Sequence, residues 1–293
     1  MSSNIAAAEV STNAIPLAAP LRIGAVTLNA RNLDELSRYY QQVVGLKVLD
    51  RDAGSVRLGA GSTLLLELIS NPDAVPRDPR GAGLFHTAFL MPTRTHLALW
   101  AKHAVDNRFL ITGASDHGVS EAIYLYDPEG NGIEIYSDRP SSEWRYADSY
   151  VEMVTEPLDI ANLIAQADGE WSGMPDHGTI GHIHLQIGSL ETAEAFYSEI
   201  LGFDVACRYP GATFFGSGGY HHQIATNIWS SKGAGRRDDN PAGLAVFEII
   251  ADEPLVAAIR RRAKQAGLAA TDTAKGFILS DPWNNRVKMA PPA

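Results

Sequence analysis

An internal repeat constrains this chain more than any single motif does. The segment from Ile23 to Arg51 and the segment from Ile180 to Arg208 follow one template. Each opens on a short alternating apolar run, passes into an amphipathic helix, and reaches a strand after Gly45-Leu46 or Gly202-Phe203. Asn32 is the predicted cap of the first helix, with Leu33, Leu36, Tyr40 and Val44 on one face and Glu35 completing a capping box. Ser189 caps the corresponding helix of Leu190, Ala193, Tyr197 and Leu201, and Gly45 and Gly202 are the stops. A second pair matches more loosely. Gly83-Leu84 opens a run and a helix through Trp100, and Gly243-Leu244 opens a run and a helix through Ala263. Both close alike: Asp127-Pro128 with Gly130-Asn131, and Asp281-Pro282 with Asn284-Asn285, make turns before the strands at 132–136 and 286–289. The chain therefore reads as an α+β protein of four βαβββ units, at about 22–71, 82–138, 179–230 and 242–291. The expected division is a flexible tail at 1–20, a first pair of units at 21–140, a connector at 141–178 with one helix near Leu158–Ala167, and a second pair at 179–293.

Composition narrows the function. The 45% hydrophobic and 20% charged fractions are those of a globular protein with ample core. The formal net charge is -10, and the one basic cluster, Arg260-Arg261-Arg262, is a single helical turn, so nucleic acid is excluded as the main partner. The single cysteine, Cys207, allows neither an intramolecular disulfide nor a four-Cys zinc site, which points to a reducing, cytoplasmic setting. No stretch of 18 or more apolar residues is present for a membrane span. The first twenty residues lack the pattern of a signal peptide.

The repeat also lets equivalent positions be compared. On the opening strands these are Ala25, His86, His182 and Val246. On the closing strands they are Glu67, Glu134, no acid in the run His221 to Thr226, and Lys288. A strand histidine taken alone is more often a hydrogen-bonded structural residue than a ligand. Here, however, His86, His182 and Glu134 all fall at repeat-equivalent sites. Two imidazoles and one carboxylate form the facial set that suits non-haem Fe(II) with open coordination positions.

The strings Ile180-Gly181-His182-Ile183-His184-Leu185, Gly219-Tyr220-His221-His222, Asp116 to Ala122 and Asp127 to Glu134 resemble the vicinal oxygen chelate superfamily, and within it the catechol 2,3-dioxygenase (type I extradiol dioxygenase) family, over about 22–290. The resemblance implies the glyoxalase/bleomycin resistance/dihydroxybiphenyl dioxygenase fold, in which paired units form cupped mixed sheets around a metal held by His86, His182 and Glu134. It further implies Fe(II), with Mn(II) as the alternative, and extradiol cleavage of a catechol by O₂ to a yellow ring-opened semialdehyde. His222 would be the acid/base histidine, and His117 and Tyr124 would hold a substrate oxygen. Better-known members place the active site in units three and four. Here unit four lacks His and Glu, so units two and three are expected to share the active sheet. Units one and four would pair as a structural half, with Glu67 close to Lys288.

Of the neighbours, His184 shares a strand face with His182 and is a candidate substrate contact, as are Tyr220 and Trp229. His221 alternates away from His222 and reads as structural; His96, His103 and His177 read as solvated. Asp116-His117 could equally be a turn device. The alternatives left open are a hydroquinone-cleaving dioxygenase, a glyoxalase I-like isomerase or lyase with a fourth ligand, and a metal-free module of the bleomycin-binding kind. Related enzymes are commonly homo-oligomers, which the sequence leaves undecided.

Overall fold

The computed structural model describes residue 16 and residues 18–292. Most of the expected tail at 1–20 lies outside the described residues, but Ala19 is buried and Leu21 N–H donates to Ser217 Oγ (3.1 Å). Two large mixed sheets carry the four units. The nine-stranded sheet runs Glu156–Pro157, Gly113–Asp116, Ser120–Tyr126, Gly132–Asp138, Gly83–Leu90, Thr179–Gln186, Ile224–Asn227, Ala212–Gly216, Asp204–Tyr209. The eight-stranded sheet runs Thr271–Thr273, Gly276–Ser280, Arg286–Ala290, Gly243–Ile250, Arg22–Ala30, Thr63–Ser70, Ser55–Ala60, Lys47–Arg51. Unit two therefore joins unit three, and unit one joins unit four. The segments 21–140 and 179–293 each give one unit to each sheet.

The joints are antiparallel pairings of opening strands: Gly83–Leu90 with Thr179–Gln186, and Arg22–Ala30 with Gly243–Ile250. Thr179–Gln186 is buried along its whole length, as expected for a central strand covered on both faces. The outermost strand Lys47–Arg51 is exposed and carries Lys47, Asp50 and Arg51, charges that discourage edge pairing.

The helices bind the units in the other sense. Leu33–Tyr39 continues as a π segment, Tyr40–Val44, and ends at Gly45 with φ 84°; Leu190–Glu194 continues as Ala195–Ile200 and reaches Gly202 at φ 91°. Asn32 and Ser189 cap as expected, through the N–H groups of Glu35 and Thr192. The capping box is modified: Glu35 accepts from the Asn32 side chain, while the Asn32 backbone N–H donates to Glu129 of unit two (2.7 Å). Trp100, on the unit-two helix Arg94–Asp106, donates to Val43 O (2.8 Å). Arg262, on the unit-four helix Glu253–Gln265, donates to Ile200 O (2.7 Å). Each thereby satisfies a carbonyl at the end of the neighbouring unit's helix. The connector holds a shorter helix than expected, Ile160–Ile164, and three two-residue strands.

The two Asp-Pro turns form matching buried networks. Asp127 accepts from Asn131 and from the Tyr40 hydroxyl (3.0 Å), and Asp281 accepts from Asn285 and from the Tyr197 hydroxyl (2.8 Å). Burial raises the pKa of both carboxylates against the lowering effect of these hydrogen bonds. A single hydrophobic cluster runs through both sheets and their helices. Because Tyr40 and Tyr197 each meet a buried carboxylate, Tyr40→Phe and Tyr197→Phe should each lower the unfolding free energy by about 1–3 kcal/mol in urea titrations. Unchanged midpoints in both variants would deny these contacts a structural role.

Candidate metal centre and active site

Three neighbouring strands bring the expected ligands together. His86 lies on Gly83–Leu90, Glu134 on the adjacent parallel strand Gly132–Asp138, and His182 on the antiparallel strand Thr179–Gln186. In register, Ala88 stands between Glu134 on one side and His182 on the other, with His86 two residues away on the same face. The small Ala88 side chain leaves the space into which the three side chains converge. His86 Nε2 is 2.9 Å from Glu134 Oε2, His182 Nε2 is 3.1 Å from the same oxygen, and the two Nε2 atoms are 3.3 Å apart. Ligands at about 2.1 Å in cis positions around one ion stand about 3 Å from each other, so the donor set fits a divalent transition metal. Among the described residues this is the one His/Cys/Asp/Glu group with such a convergence.

The electrostatics favour the ligating forms. Burial lowers the pKa of His182, keeping it neutral. Burial would raise the pKa of Glu134, but the electrostatic pull and hydrogen bonds of the His182 and His86 rings outweigh it and hold the carboxylate well below its usual range. The approach to His182 is tight: a Cβ on Gly181 would lie 1.8 Å from Tyr136 Oη. The Tyr136 ring packs 4.9 Å from His182, and its hydroxyl shares a 2.8 Å hydrogen bond with Tyr220.

The triad opens into a cavity of about 250 Å³. Its walls include Phe85, Phe214, Met153, Val154 and Trp229, and its polar lining includes His117, Tyr124, His184 and His222. The volume lies just below the ~300–1,000 Å³ of drug-sized sites, which suits a small ligand.

His117 and Tyr124 act as a pair. His117 Nδ1–H donates to Val154 O (2.7 Å), which leaves Nε2 to accept from the Tyr124 hydroxyl (2.7 Å). Burial, then the charge of Glu134, raises the Tyr124 pKa well above the usual phenol value, so its proton stays on. His222 touches His182 at 4.2 Å between ring centres. Burial, followed by repulsion from His182 and its other histidine neighbours, lowers the pKa of His222 and leaves a neutral ring. His184, opposite His86 across the strand pair, accepts from Asn227 Nδ2 (3.0 Å) and is neutral for the same first reason. Trp229 is half-exposed and packs edge-on against Phe85 and His184, its indole donating to Pro210 O.

Three expectations are corrected. Tyr220 does not line the cavity; its turn directs it to Tyr136, so it supports the wall behind His182. His221 is not simply turned away from His222, because both precede the strand Ile224–Asn227 and strand alternation does not govern them. The two rings meet Nδ1 to Nδ1 at 2.7 Å. His177 is exposed as expected, whereas His96 and His103 are half-buried, the latter stacked on Trp171. Sequence reasoning missed Phe85 and Phe214: alternation could have marked Phe214, in register with Ala225 and His184, whereas Phe85 follows from a bulge beside His86 that alternation does not signal. It also missed the Val154 carbonyl, a backbone group of the connector with no sequence signal.

In unit three the residue in register with Glu134 is Ala225, paired with His184 as Glu134 is with Ala88. That position supplies no fourth carboxylate. In the other sheet the equivalents are Ala25, Val246, Glu67 and Lys288. There Lys288 takes Glu248 as its ion-pair partner (2.9 Å), while Glu67 accepts from Thr27 Oγ1.

Residues 22–135 and 179–288 match the family model of the Glyoxalase/Bleomycin resistance protein/Dioxygenase superfamily. The chain is 38% identical over 267 residues to the catechol-2,3-dioxygenase of Bacillus subtilis (strain 168), covering 89% of this chain and 93% of that protein. Among solved structures, maize glyoxalase I shares the fold at a TM-score of 0.58 and 16% identity, over 92% of each chain. The chain belongs to this superfamily and, within it, to the catechol 2,3-dioxygenase family. It is an oxidoreductase of the dioxygenase class. No helix among the described residues is long and apolar enough to cross a membrane.

The buried neutral histidines give a pH dependence of definite sign. An unfolded histidine gains a proton below about pH 6.5, whereas folded His184 and His222 resist it, so the unfolded state binds more protons and stability falls as pH drops below that value. In urea titrations of the metal-free protein, His184→Gln should flatten the loss of stability between about pH 6.5 and 5 relative to wild type. An equal or steeper loss in the variant would contradict the buried neutral state of His184.

Proposed function

We propose that the protein is an Fe(II)-dependent extradiol dioxygenase that opens the ring of a catechol with O₂, yielding a ring-opened semialdehyde. The observation that supports this best is the joining, in one small aromatic-walled cavity, of the His86/His182/Glu134 set with neutral His222 and the hydrogen-bonded His117–Tyr124 pair. Iron bound by His86, His182 and Glu134 would supply the centre at which an electron-rich catecholate and dioxygen react; Mn(II) suits the same donors. His222, with its ring neutral, takes the proton from a catechol hydroxyl and later returns it to the oxygen that leaves. Tyr124 keeps its proton, donated to His117 Nε2, and its hydroxyl oxygen accepts a hydrogen bond from a catechol hydroxyl. Phe85, Phe214 and Trp229 flank the ring and exclude water, while His184 adds a neutral polar edge to that wall. Ala225 at the fourth-ligand position weighs against a glyoxalase-like lyase, which needs a second carboxylate. The single buried Cys207 fits a reducing, cytoplasmic setting.

The test is anaerobic loading with Fe(II), then air and a panel of catechols, with oxygen uptake and the yellow product followed together. One O₂ per product is expected; bound iron without uptake would overturn the reading. His222→Ala should retain iron and catechol binding while losing about 100-fold or more in kcat. Glu134→Ala should lose iron, as metal analysis would show. Equal iron loss in both variants would contradict these separate roles.

A further inference from the structure

A chain of buried hydrogen bonds leads away from His222 on the side opposite the cavity. Asp138 lies on the same strand as Glu134 and Tyr136, at alternate positions, and therefore on the same face. Its Oδ1 is 2.8 Å from His221 Nε2, and His221 Nδ1 is 2.7 Å from His222 Nδ1. The His221 ring is buried between Tyr220, 4.1 Å away between ring centres, and Trp144, 5.1 Å away. Asp138 is buried as well. Nothing in the binding of a small ligand requires a carboxylate and a second histidine behind a cavity wall, and burying them is costly unless they are paired.

With Asp138 ionised and His221 neutral, proton counting along the chain gives one arrangement. A carboxylate accepts only, so His221 Nε2 carries hydrogen and donates to Asp138. A neutral His221 then has a bare Nδ1. Two ring nitrogens 2.7 Å apart must share one hydrogen, which therefore sits on His222 Nδ1. The remaining nitrogen of His222, Nε2, is left with a free lone pair. The alternative, a charged His221 paired with Asp138 and donating to His222, would put hydrogen on His222 Nε2 and leave no acceptor for a substrate proton, so it does not serve the acid/base role.

We infer that Asp138 and His221 are positioning residues that fix His222 in the Nδ1–H tautomer, presenting a bare Nε2 as the proton acceptor for substrate. This rests on His222 serving as the acid/base group of the proposed ring cleavage. The same bonds hold the plane of the His222 ring, which packs between His182 and Phe214. Removing the Asp138 carboxylate frees His221 to turn over its hydrogen positions and lets His222 populate the other tautomer.

The test is long-range ¹H–¹⁵N spectroscopy of ring-¹⁵N-histidine-labelled protein, metal-free and loaded with diamagnetic Zn(II), with the His222 signals assigned by their absence in His222→Gln. The expected wild-type result is hydrogen on Nδ1 and a bare Nε2, a reading that needs no altered protein to fold. Asp138→Leu should add a second tautomer and lower kcat by about 10–100-fold, with KM and iron content close to wild type. Hydrogen on His222 Nε2 in the wild type, or a wild-type kcat in folded Asp138→Leu, would overturn the inference. Failure of the underlying function is distinguished by His222→Ala: wild-type turnover there removes the acid/base role itself, whereas lost turnover with hydrogen on Nε2 removes only the positioning role.

Discussion

The antiparallel pairing of Gly83–Leu90 with Thr179–Gln186 is the constraint on which the site depends. It joins the second unit to the third and sets His182 against Ala88 and His184 against His86. The parallel neighbour Gly132–Asp138 then sets Glu134 against the other side of Ala88. Three ligands drawn from two units thus meet over one small side chain. A shift of one residue in either pairing would turn a ligand to the opposite face. The close approach of Gly181 to Tyr136 ties the register to packing, since a side chain there has no room.

The four units form a closed circuit of contacts. Sheet pairing joins two to three and one to four, while the Tyr40–Asp127 and Trp100–Val43 contacts join one to two, and the Tyr197–Asp281 and Arg262–Ile200 contacts join three to four. The sheet without the ligands shows what the repeat becomes when chemistry is absent. Glu248 occupies the position of Ala88, and its carboxylate lies where a side chain on Gly24 would collide with it. Lys288, at the position of Glu134, pairs with that carboxylate. A metal-sized space in one sheet is an ion pair in the other.

Much of this was legible in the sequence because the repeat turns isolated residues into comparable positions. Ala25, Val246, Glu67 and Lys288 told which units could not hold a transition metal, and His86, His182 and Glu134 which could; the absence of a ligand pair in unit four pointed to the exchange of sheet partners. What depended on turns and backbone was not legible. Tyr220 and His221 sit before their strand, so alternation misplaced His221, and flanking the histidine pair did not bring Tyr220 to the cavity. The Val154 carbonyl that orients His117 belongs to a connector with no periodic pattern. The ion-pair partner of Lys288 was not read because Glu248, at the position of Ala88, was not among the positions compared. Asp138 was invisible as a partner of His221, since 83 residues separate them and only folding brings them together.

The most direct measurement is an anomalous-difference map at the iron edge from crystals grown anaerobically with Fe(II). The expected result is one peak per chain about 2.0–2.3 Å from His86 Nε2, His182 Nε2 and a Glu134 carboxylate oxygen, with no other protein ligand. A peak elsewhere, or one that draws in His184 or a further carboxylate as a fourth protein ligand, would contradict the three-ligand centre shared by units two and three.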